Sequence, residues 1–224
     1  MVVTKVSIII PAFNEACYIT NTIKAVKFYP EVKEVIVIDD GSLDDTKENA
    51  IAAGAIVHSN PYNLGKGASL NIGCSMANGE VIMFLDGDLG FAAWEARKLW
   101  EVILRNEADC AIAKFPKSNG AGGFGLTKAL AKWGVSYFGG QNLATVLSGQ
   151  RAFNRVALKA ILPLDNGFGA EVKASIDLLK KGLRIKEIDV LMTHRESGRD
   201  MAGFLHRGKQ FKHILKLLAS EALR

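Results

Sequence analysis

The first half of the chain alternates short apolar runs with segments of helical periodicity, and this alternation limits the possible folds most. Predicted strands lie at 3–10, 35–38, 55–58 and 81–85, and predicted helices at 14–28, 47–53, 68–77 and 92–105. An order of β-α-β-α-β-α-β requires right-handed crossovers between parallel strands. The sequence therefore predicts an α/β fold, with a single mixed, mostly parallel sheet flanked by helices.

The second half continues with helices and strands of less regular order. Predicted strands lie at 110–114, within 145–154 and at 184–191, and predicted helices at 126–137, 155–161, 171–181 and 204–223. No repeat or linker separates the two halves. We therefore expect one domain, with a nucleotide-binding half at 1–114 and an acceptor-binding half at 115–224.

Two carboxylates, Asp86 and Asp88, directly follow the apolar run at 81–85. Ligands of open α/β sheets bind beyond the carboxyl ends of the strands. Two neighbouring acids repel each other unless a cation holds them, and hard divalent ions such as Mg²⁺ or Mn²⁺ suit oxygen ligands. The alternative is a hairpin, because Asp-Gly between apolar runs is a strong turn signal.

Three further loops are expected at the same edge of the sheet, at 11–15, 39–42 and 60–67. Each has a structural alternative. Asn14 and Glu15 could cap and begin a helix, the acids at 39–40 could form an Asx turn, and Lys66 between two glycines could lie in a solvated turn.

Four motifs stand in order: PAFNE at 11–15, VIDDGSLDDT at 37–46, NLGKG at 63–67 and DGD at 86–88. In this order and spacing they resemble the sugar transferases of glycosyltransferase family two, which have the GT-A fold. The resemblance covers essentially the whole first half. It implies a nucleotide-sugar donor and a divalent metal that bridges the donor diphosphate.

The resemblance also implies a role for each matching residue. The base and ribose would be lined by Pro11, Ala12, Asn14 and Glu15, and bound by Asp40 with Asp39. Lys66 would reach the nucleotide. Asp86 and Asp88 match the DxD motif, and Asp88 is the more certain metal ligand and catalytic residue.

The second half contains two acceptor motifs that resemble different relatives. SGQRAF at 148–153 resembles the acceptor strand of polyprenyl-phosphate sugar transferases. GFGAE at 167–171, with His194 and Arg195, is similar to glucosyl-3-phosphoglycerate synthases. The second likeness implies His194 as a third metal ligand, although an exposed or core histidine is the alternative.

The remaining site predictions concern the sugar and the phosphates. Glu171 would hydrogen-bond sugar hydroxyls or act as a base, or simply place an acid at a helix N-terminus. Gly149 belongs to the acceptor motif. Guanidinium groups suit phosphate, so donor or acceptor phosphates are expected at Arg151, Arg195 and Arg199.

Composition limits the partners and the compartment. The 28 Lys and Arg against 23 Asp and Glu give a net charge of +5, which suits anionic small molecules or an acidic membrane surface. No nucleic-acid recognition motif is present. Three scattered cysteines, together with no predicted signal peptide or membrane span, indicate the cytoplasm. The last helix, apolar at Phe211, Ile214 or Leu215 and Leu218, could contact a membrane peripherally, pack on the core, or form a homodimer.

The predicted function is therefore metal-dependent transfer of a hexose from a UDP- or GDP-sugar to a phosphate-bearing acceptor, with polyprenyl phosphate preferred. One alternative is transfer to a soluble phosphorylated acceptor, as in glucosyl-3-phosphoglycerate synthases. An alternative of another class is a non-catalytic scaffold that binds nucleotide sugars.

Overall fold

The computed structural model describes residues 5–116, 125–167, 169–192 and 201–223, with side chains of the last segment described at 208 and from 210 onward. The strands are β1 (Val6–Ala12), β2 (Val32–Asp39), β3 (Ile56–Ser59), β4 (Val81–Phe84), β5 (Cys110–Lys114), β6 (Arg151–Asn154) and β7 (Ile185–Asp189). The helices are α1 (Ile19–Lys27), α2 (Thr46–Ala52), α3 (Lys66–Met76), α4 (Arg97–Leu104), α5 (Gly125–Gly139), α6 (Arg155–Ile161), α7 (Ala170–Lys180) and α8 (Met201–Ala222), and a 3-10 segment spans Gly87–Ala96.

The seven strands form one mixed sheet in the order β3-β2-β1-β4-β6-β5-β7. All of them run parallel except β6, which pairs antiparallel with both β4 and β5. The carboxyl ends of the six parallel strands therefore share one edge. This arrangement confirms the predicted fold class.

The sheet separates two apolar cores, and β1 contributes to both. Ile8 and Ile10 pack in one core and Ile9 in the other, and all three are fully buried. Side chains alternate across a strand, so a continuous apolar run is what a strand covered on both faces requires.

The prediction that a helix begins at Asn14 was wrong. Asn14 has φ +57°, in the left-handed region, and helix α1 begins at Ile19. Between them, the backbone amides of Tyr18 and Ile19 both donate to the carbonyl oxygen of Glu15 at 2.9 Å. The motif at 11–15 therefore continues into a loop and a turn, which leaves it free to contact neighbouring loops.

Two other elements differ from their predicted bounds. The single helix expected at 92–105 is divided into the 3-10 segment and α4, and Gly90 has a non-helical backbone within the 3-10 segment (φ 55°, ψ −141°). Strand β6 begins at Arg151, so Ser148 and Gly149 precede the strand.

Helix α8 packs on the core with part of its apolar face. Ile214 and Leu218 are buried, and a Cβ placed on Gly134 of α5 would lie 2.8 Å from Cδ1 of Leu218. The sequence left three alternatives for this helix, namely membrane contact, core packing and a homodimer. Ile214 and Leu218 pack on the core. Within the described residues, no helix has the length and apolar content needed to cross a bilayer.

Candidate active site

The shared carboxyl edge of the sheet brings the predicted loops together. Ala12 and Asp39, the last residues of β1 and β2, are register partners, and the amide of Asp40 donates to the carbonyl oxygen of Ala12 at 2.8 Å. A Cβ placed on Gly87 would lie 3.4 Å from Cγ of Glu15. The loops at 11–15, 39–42 and 86–88 therefore meet at one place.

Pro11 and Asp39 form part of the floor at this edge. Pro11 is half-buried and pairs with Ile38, so β1 continues past the proline at which the sequence predicts its end. Asp39 is 4% exposed, and its Oδ1 accepts from the amide of Ser42 at 3.1 Å. The predicted Asx-type turn is therefore present, at the edge where a nucleoside is expected.

Asn14 joins the first two loops. Its amide donates to Oγ of Ser42 at 3.0 Å, and its Oδ1 accepts from the amide of Leu43 at 2.9 Å. The next amide, that of Glu15, donates to Oγ1 of Thr46 at 2.8 Å. These polar groups therefore hold the two loops in a fixed geometry.

Asp40 holds protein groups in this structure, and its predicted role as a ligand of the base or ribose stays a prediction. Its side chain is 4% exposed, and its oxygens accept from the amides of Leu64 and Gly65 at 2.9 Å and from Nδ2 of Asn60 at 2.7 Å. Burial raises the pKa of Asp40, but these donors lower it more, so the pKa lies below its ordinary value. The carboxylate therefore holds the loop that leads to Lys66.

The glycines on both sides of Lys66 have a steric purpose. Gly65 has φ +92°, a conformation that favours glycine. A Cβ placed on Gly67 would clash with the carbonyl oxygen of Asp165 and lie 2.7 Å from Oδ1 of Asn166. The predicted solvated turn is thus a close contact between the start of α3 and the loop before α7.

Asp86 is bound on both oxygens by protein donors. Nζ of Lys66 lies 2.5 Å from its Oδ1, and Nε2 of Gln150 lies 2.5 Å from its Oδ2. A Cβ placed on Gly149 would lie 2.6 Å from Nζ of Lys66, so glycine at 149 leaves space for this ion pair. Gln150 lies in the SGQRAF motif, directly after Gly149, but the sequence predicted no role for it.

The lysine of this pair remains charged. Burial lowers the pKa of Lys66, but the charges of Asp86, Glu171 and Asp88 raise it more, so the pKa lies above its ordinary value. One lysine beside three carboxylates leaves the site with a net negative charge, which favours a bound cation.

Asp88 is half-buried at the start of the 3-10 segment, and Thr22 of α1 fixes the backbone around it. Oγ1 of Thr22 donates to the carbonyl oxygen of Gly87 at 2.8 Å and accepts from the amide of Gly90 at 2.8 Å. Thr22 lies outside all four motifs, and the sequence carries no signal for this role.

A cavity of about 330 Å³ adjoins the Lys66–Asp86 pair. Polar residues on its wall include Lys66, Arg151 and Glu171, and Glu171 lies in the first turn of α7. Most of its wall is apolar, with side chains from Leu70, Phe84, Leu147, Phe153, Ile161 and Leu164. The cavity can therefore hold a molecule that has both a polar and an apolar part.

Arg151 holds protein groups in this structure, and its predicted contact with phosphate stays a prediction. It is 2% exposed, and its guanidinium donates to the carbonyl oxygens of Ser148 and Val146 at 2.8 Å and to Oγ of Ser175 at 3.0 Å. Burial lowers the pKa of Arg151, and the negative charges around it oppose that effect. Arg151 therefore positions the segment that precedes Gly149.

The carboxylate oxygens of Asp86 and Asp88 are the kind of ligand that a hard divalent ion prefers. Within the described residues, however, no three acidic, histidine or cysteine side chains converge as a metal site. The predicted third ligand, His194, and the predicted phosphate ligands Arg195 and Arg199 lie outside the described residues. The chain just before them reaches the 3-10 segment, because the amide of Leu191 donates to Oε2 of Glu95 at 2.8 Å. The carboxylate of Asp88 has the chemistry that a divalent ion prefers, and its role as a metal ligand stays a prediction.

Comparisons with known proteins agree with this architecture. The family model "Glycosyl transferase family 2" matches residues 7–161. Glycosyltransferase AglJ of Haloferax volcanii is 29% identical over 206 residues, which cover 87% of this chain and 65% of that protein. An uncharacterised protein of Methanocaldococcus jannaschii is 29% identical over 224 residues, with coverage of 96% and 91%.

One solved structure is similar over nearly the whole chain. It is glucosyl-3-phosphoglycerate synthase from Mycobacterium tuberculosis in complex with Mn²⁺, uridine diphosphate and glucosyl-3-phosphoglycerate. The TM-score is 0.79 at 26% sequence identity, with 96% of this chain and 80% of that chain covered. The chain belongs to glycosyl transferase family 2 and is a glycosyltransferase with the GT-A fold.

Proposed function

We propose that the protein transfers a hexose from a UDP- or GDP-sugar to a phosphate-bearing acceptor, with polyprenyl phosphate as the acceptor, and that it requires Mg²⁺ or Mn²⁺. One observation carries the proposal. The hydrogen-bonded set of Lys66, Asp86 and Gln150 lies next to Asp88 and beside a cavity lined by Glu171.

The nucleoside end of the donor fits the joined loops at 11–15 and 39–42. Pro11, Ala12 and Asp39 provide a rigid floor, and Asn14 and Glu15 lie at its rim. Because hydrogen bonds between the two loops fix these groups before the donor binds, less conformational entropy is lost on binding.

Charge stabilisation of the departing nucleoside diphosphate is the main chemical task. We assign the metal-ligand role first to Asp88, because both oxygens of Asp86 accept bonds from Lys66 and Gln150. His194 is the proposed further ligand. A bound divalent ion neutralises the negative charge that the diphosphate gains as the sugar leaves. Lys66 adds a second, fixed positive charge from the protein itself.

The sugar and the acceptor are assigned to the cavity. Glu171 faces the same space as Lys66 and can accept hydrogen bonds from sugar hydroxyls. An ionised phosphate is itself a nucleophile, so the acceptor does not need a strong general base. The apolar wall supports a lipid-linked acceptor, because a polyprenyl chain can cover it. Arg195 and Arg199 are the proposed phosphate ligands.

A second acceptor is favoured by one specific observation. The similar solved structure of the mycobacterial synthase contains glucosyl-3-phosphoglycerate, whose acceptor part is a small soluble phosphate. That structure supports the donor and metal chemistry equally for both acceptors, so the experiment must separate them.

The test incubates the purified chain with UDP-glucose or GDP-mannose, Mn²⁺ or Mg²⁺, and either polyprenyl phosphate in detergent or 3-phosphoglycerate. Mass spectrometry detects the glycosylated product. We expect metal-dependent transfer to polyprenyl phosphate, and a fall of at least about 100-fold in Asp88→Asn. Transfer to 3-phosphoglycerate alone would establish the second acceptor. Metal-dependent nucleotide binding without any turnover would favour the scaffold.

Asp45→Asn is the matched control. Asp45 is an exposed acid near the same edge, and its side chain makes no capping hydrogen bond to α2. The same change of carboxylate to amide should leave turnover at the wild-type level. Equal turnover in Asp88→Asn and Asp45→Asn would refute the site.

A further inference from the structure

Helix α5 exposes a row of large apolar side chains on one side. Leu126 is 80% exposed, Trp133 54% and Tyr137 69%. Their spacing of seven and four residues places them on one side of a helix. Thr127, Ala131, Gly134 and Val135, on another side of the helix, are buried. The apolar character of the exposed row therefore does not come from packing in the core.

Helix α8 continues this apolar surface. Leu218 contacts α5 at Gly134, and Phe211 and Leu215 lie seven and three residues before Leu218, on the same side of α8. Phe211 is 37% exposed and Leu215 50%. We call the exposed side chains of both helices the α5–α8 patch, which consists of Leu126, Trp133, Tyr137, Phe211 and Leu215.

The aromatic pair in the patch is arranged as a flat platform. The rings of Trp133 and Tyr137 stack, with centroids 5.3 Å apart and an angle of 17° between their planes. Tryptophan and tyrosine are enriched where proteins meet the headgroup region of a bilayer, because each ring combines an apolar body with a polar group.

Both helices that carry the patch also carry lysines. Helix α5 carries Lys128 and Lys132 and no acid. Lys212 and Lys216 of α8 are exposed. The one acid of α8, Glu221, is 5% exposed and lies 2.6 Å from Nζ of Lys180. The helices therefore present lysines without exposed acidic side chains of their own.

Helical geometry places these lysines outside the apolar centre. Lys128 lies two residues after Leu126, and Lys132 lies five residues before Tyr137, so both lie on the far side of α5 from the apolar row. On α8, Lys212 and Lys216 each follow a patch residue by one position, which places them beside the apolar centre on the side away from α5. An apolar centre with exposed lysines beside it is typical of a surface that lies on anionic lipid.

We propose that the α5–α8 patch docks on the surface of an anionic phospholipid bilayer. A second copy of this chain is a poorer occupant, because it would bring a second set of lysines against the first. The surface would bring the cavity to the bilayer that holds a polyprenyl phosphate, and to that extent the inference rests on the proposed function.

The test is flotation of the full chain with vesicles of phosphatidylcholine, either alone or with about 30% phosphatidylglycerol. No donor, metal or polyprenyl phosphate is present, so the result is independent of turnover. We expect flotation with the anionic vesicles, and its loss in Trp133→Ser/Tyr137→Ser. Lys212→Gln/Lys216→Gln should weaken partitioning by about 30-fold, at about 1 kcal/mol per lysine.

Matched controls change the same residue types elsewhere. Phe28 and Ile51 are exposed apolar side chains of other helical regions, and Phe28→Ser/Ile51→Ser should float like the wild type. Lys24 and Lys47 are exposed, and Lys24→Gln/Lys47→Gln removes the same charge from α1 and α2. Equal loss in the charge control would show attraction by net charge alone and overturn the assignment to the patch.

Two other results would also overturn the proposal. One is a wild-type chain that does not float with anionic vesicles. The other is a wild-type dimer in sedimentation that becomes monomeric in Trp133→Ser/Tyr137→Ser, which would make the patch an interface between copies. If flotation succeeds but transfer to polyprenyl phosphate fails, the docking surface stands and the proposed acceptor does not.

Discussion

Thr22 offers a sharp test of how the loop that carries Asp88 is held. The hydroxyl is fully buried and has one proton, which is shared most closely with the carbonyl oxygen of Gly87 at 2.8 Å. The same oxygen accepts from the amide of Gly90 at 2.8 Å. Thr22→Val keeps the shape of the side chain but removes both hydrogen bonds.

The magnitude follows from the two buried backbone groups that lose their partner. A buried polar group without a hydrogen bond costs about 1–3 kcal/mol, so Thr22→Val should lower the free energy of unfolding by about 3 kcal/mol. For a chain of this size, that loss corresponds to a fall in Tm of about 6–12 °C. Thr22→Ser keeps the hydroxyl and loses only a methyl group, which costs about 1 kcal/mol.

Urea denaturation of the two variants measures the difference directly, and metal-dependent turnover measures its effect on the site. We expect Thr22→Val to be less stable than Thr22→Ser by about 2 kcal/mol and to lose more activity, because the backbone around Asp88 loosens. Equal stability and equal turnover in the two variants would show that the hydroxyl does not hold the loop.

Two other predictions concern residues near Lys66. Gly67→Ala should lower turnover, because its Cβ would meet the backbone of Asp165. Gly208→Ala is the control, because a Cβ there meets nothing within 4 Å. It should keep activity and stabilise α8 by about 0.5–1 kcal/mol in thermal unfolding. Asp40→Asn should lower the free energy of unfolding at pH 7 by about 1–3 kcal/mol, because an amide cannot accept all the hydrogen bonds of the carboxylate. The folded pKa of Asp40 is below its unfolded value of about 3.9, so the stabilising effect is present above that pH and is lost as the pH falls through the folded pKa. Urea curves of wild type and Asp40→Asn should therefore converge in acid, whereas a constant gap would contradict this account.

The sheet was largely predictable from the sequence, because strand signals are local. The runs at 81–85 and 110–114 are short, continuous and apolar, which predicts strands. The order of strands and helices along the chain limits the possible connections between strands. The start of α1 was not predictable in this way. Asn14 and Glu15 look like a helix start, but their amides bond to Ser42 and Thr46, which are distant in sequence.

The apolar face of the last helix was predicted only in outline. Periodicity placed Phe211, Ile214 and Leu218 on one side of a helix, which three different partners could cover. Contact with Gly134 of α5 decided the outcome for Leu218. Periodicity within one helix cannot show which part of an apolar face a neighbouring helix will cover.

The acids of the motifs show the limit of sequence inference most clearly. Asp40, Asp86 and Asp88 each stand just beyond a strand, and the sequence predicts that each binds a ligand, Asp40 at the base or ribose and the other two at the metal. The structure separates them by their donors. Asp40 accepts from the amides of a loop more than twenty residues away, and Asp86 accepts from Gln150, the residue just before the antiparallel strand β6. A carboxylate whose oxygens accept hydrogen bonds in this way holds other parts of the protein in place. The motif therefore locates the site, but hydrogen bonds between distant segments decide which loops its acids hold together.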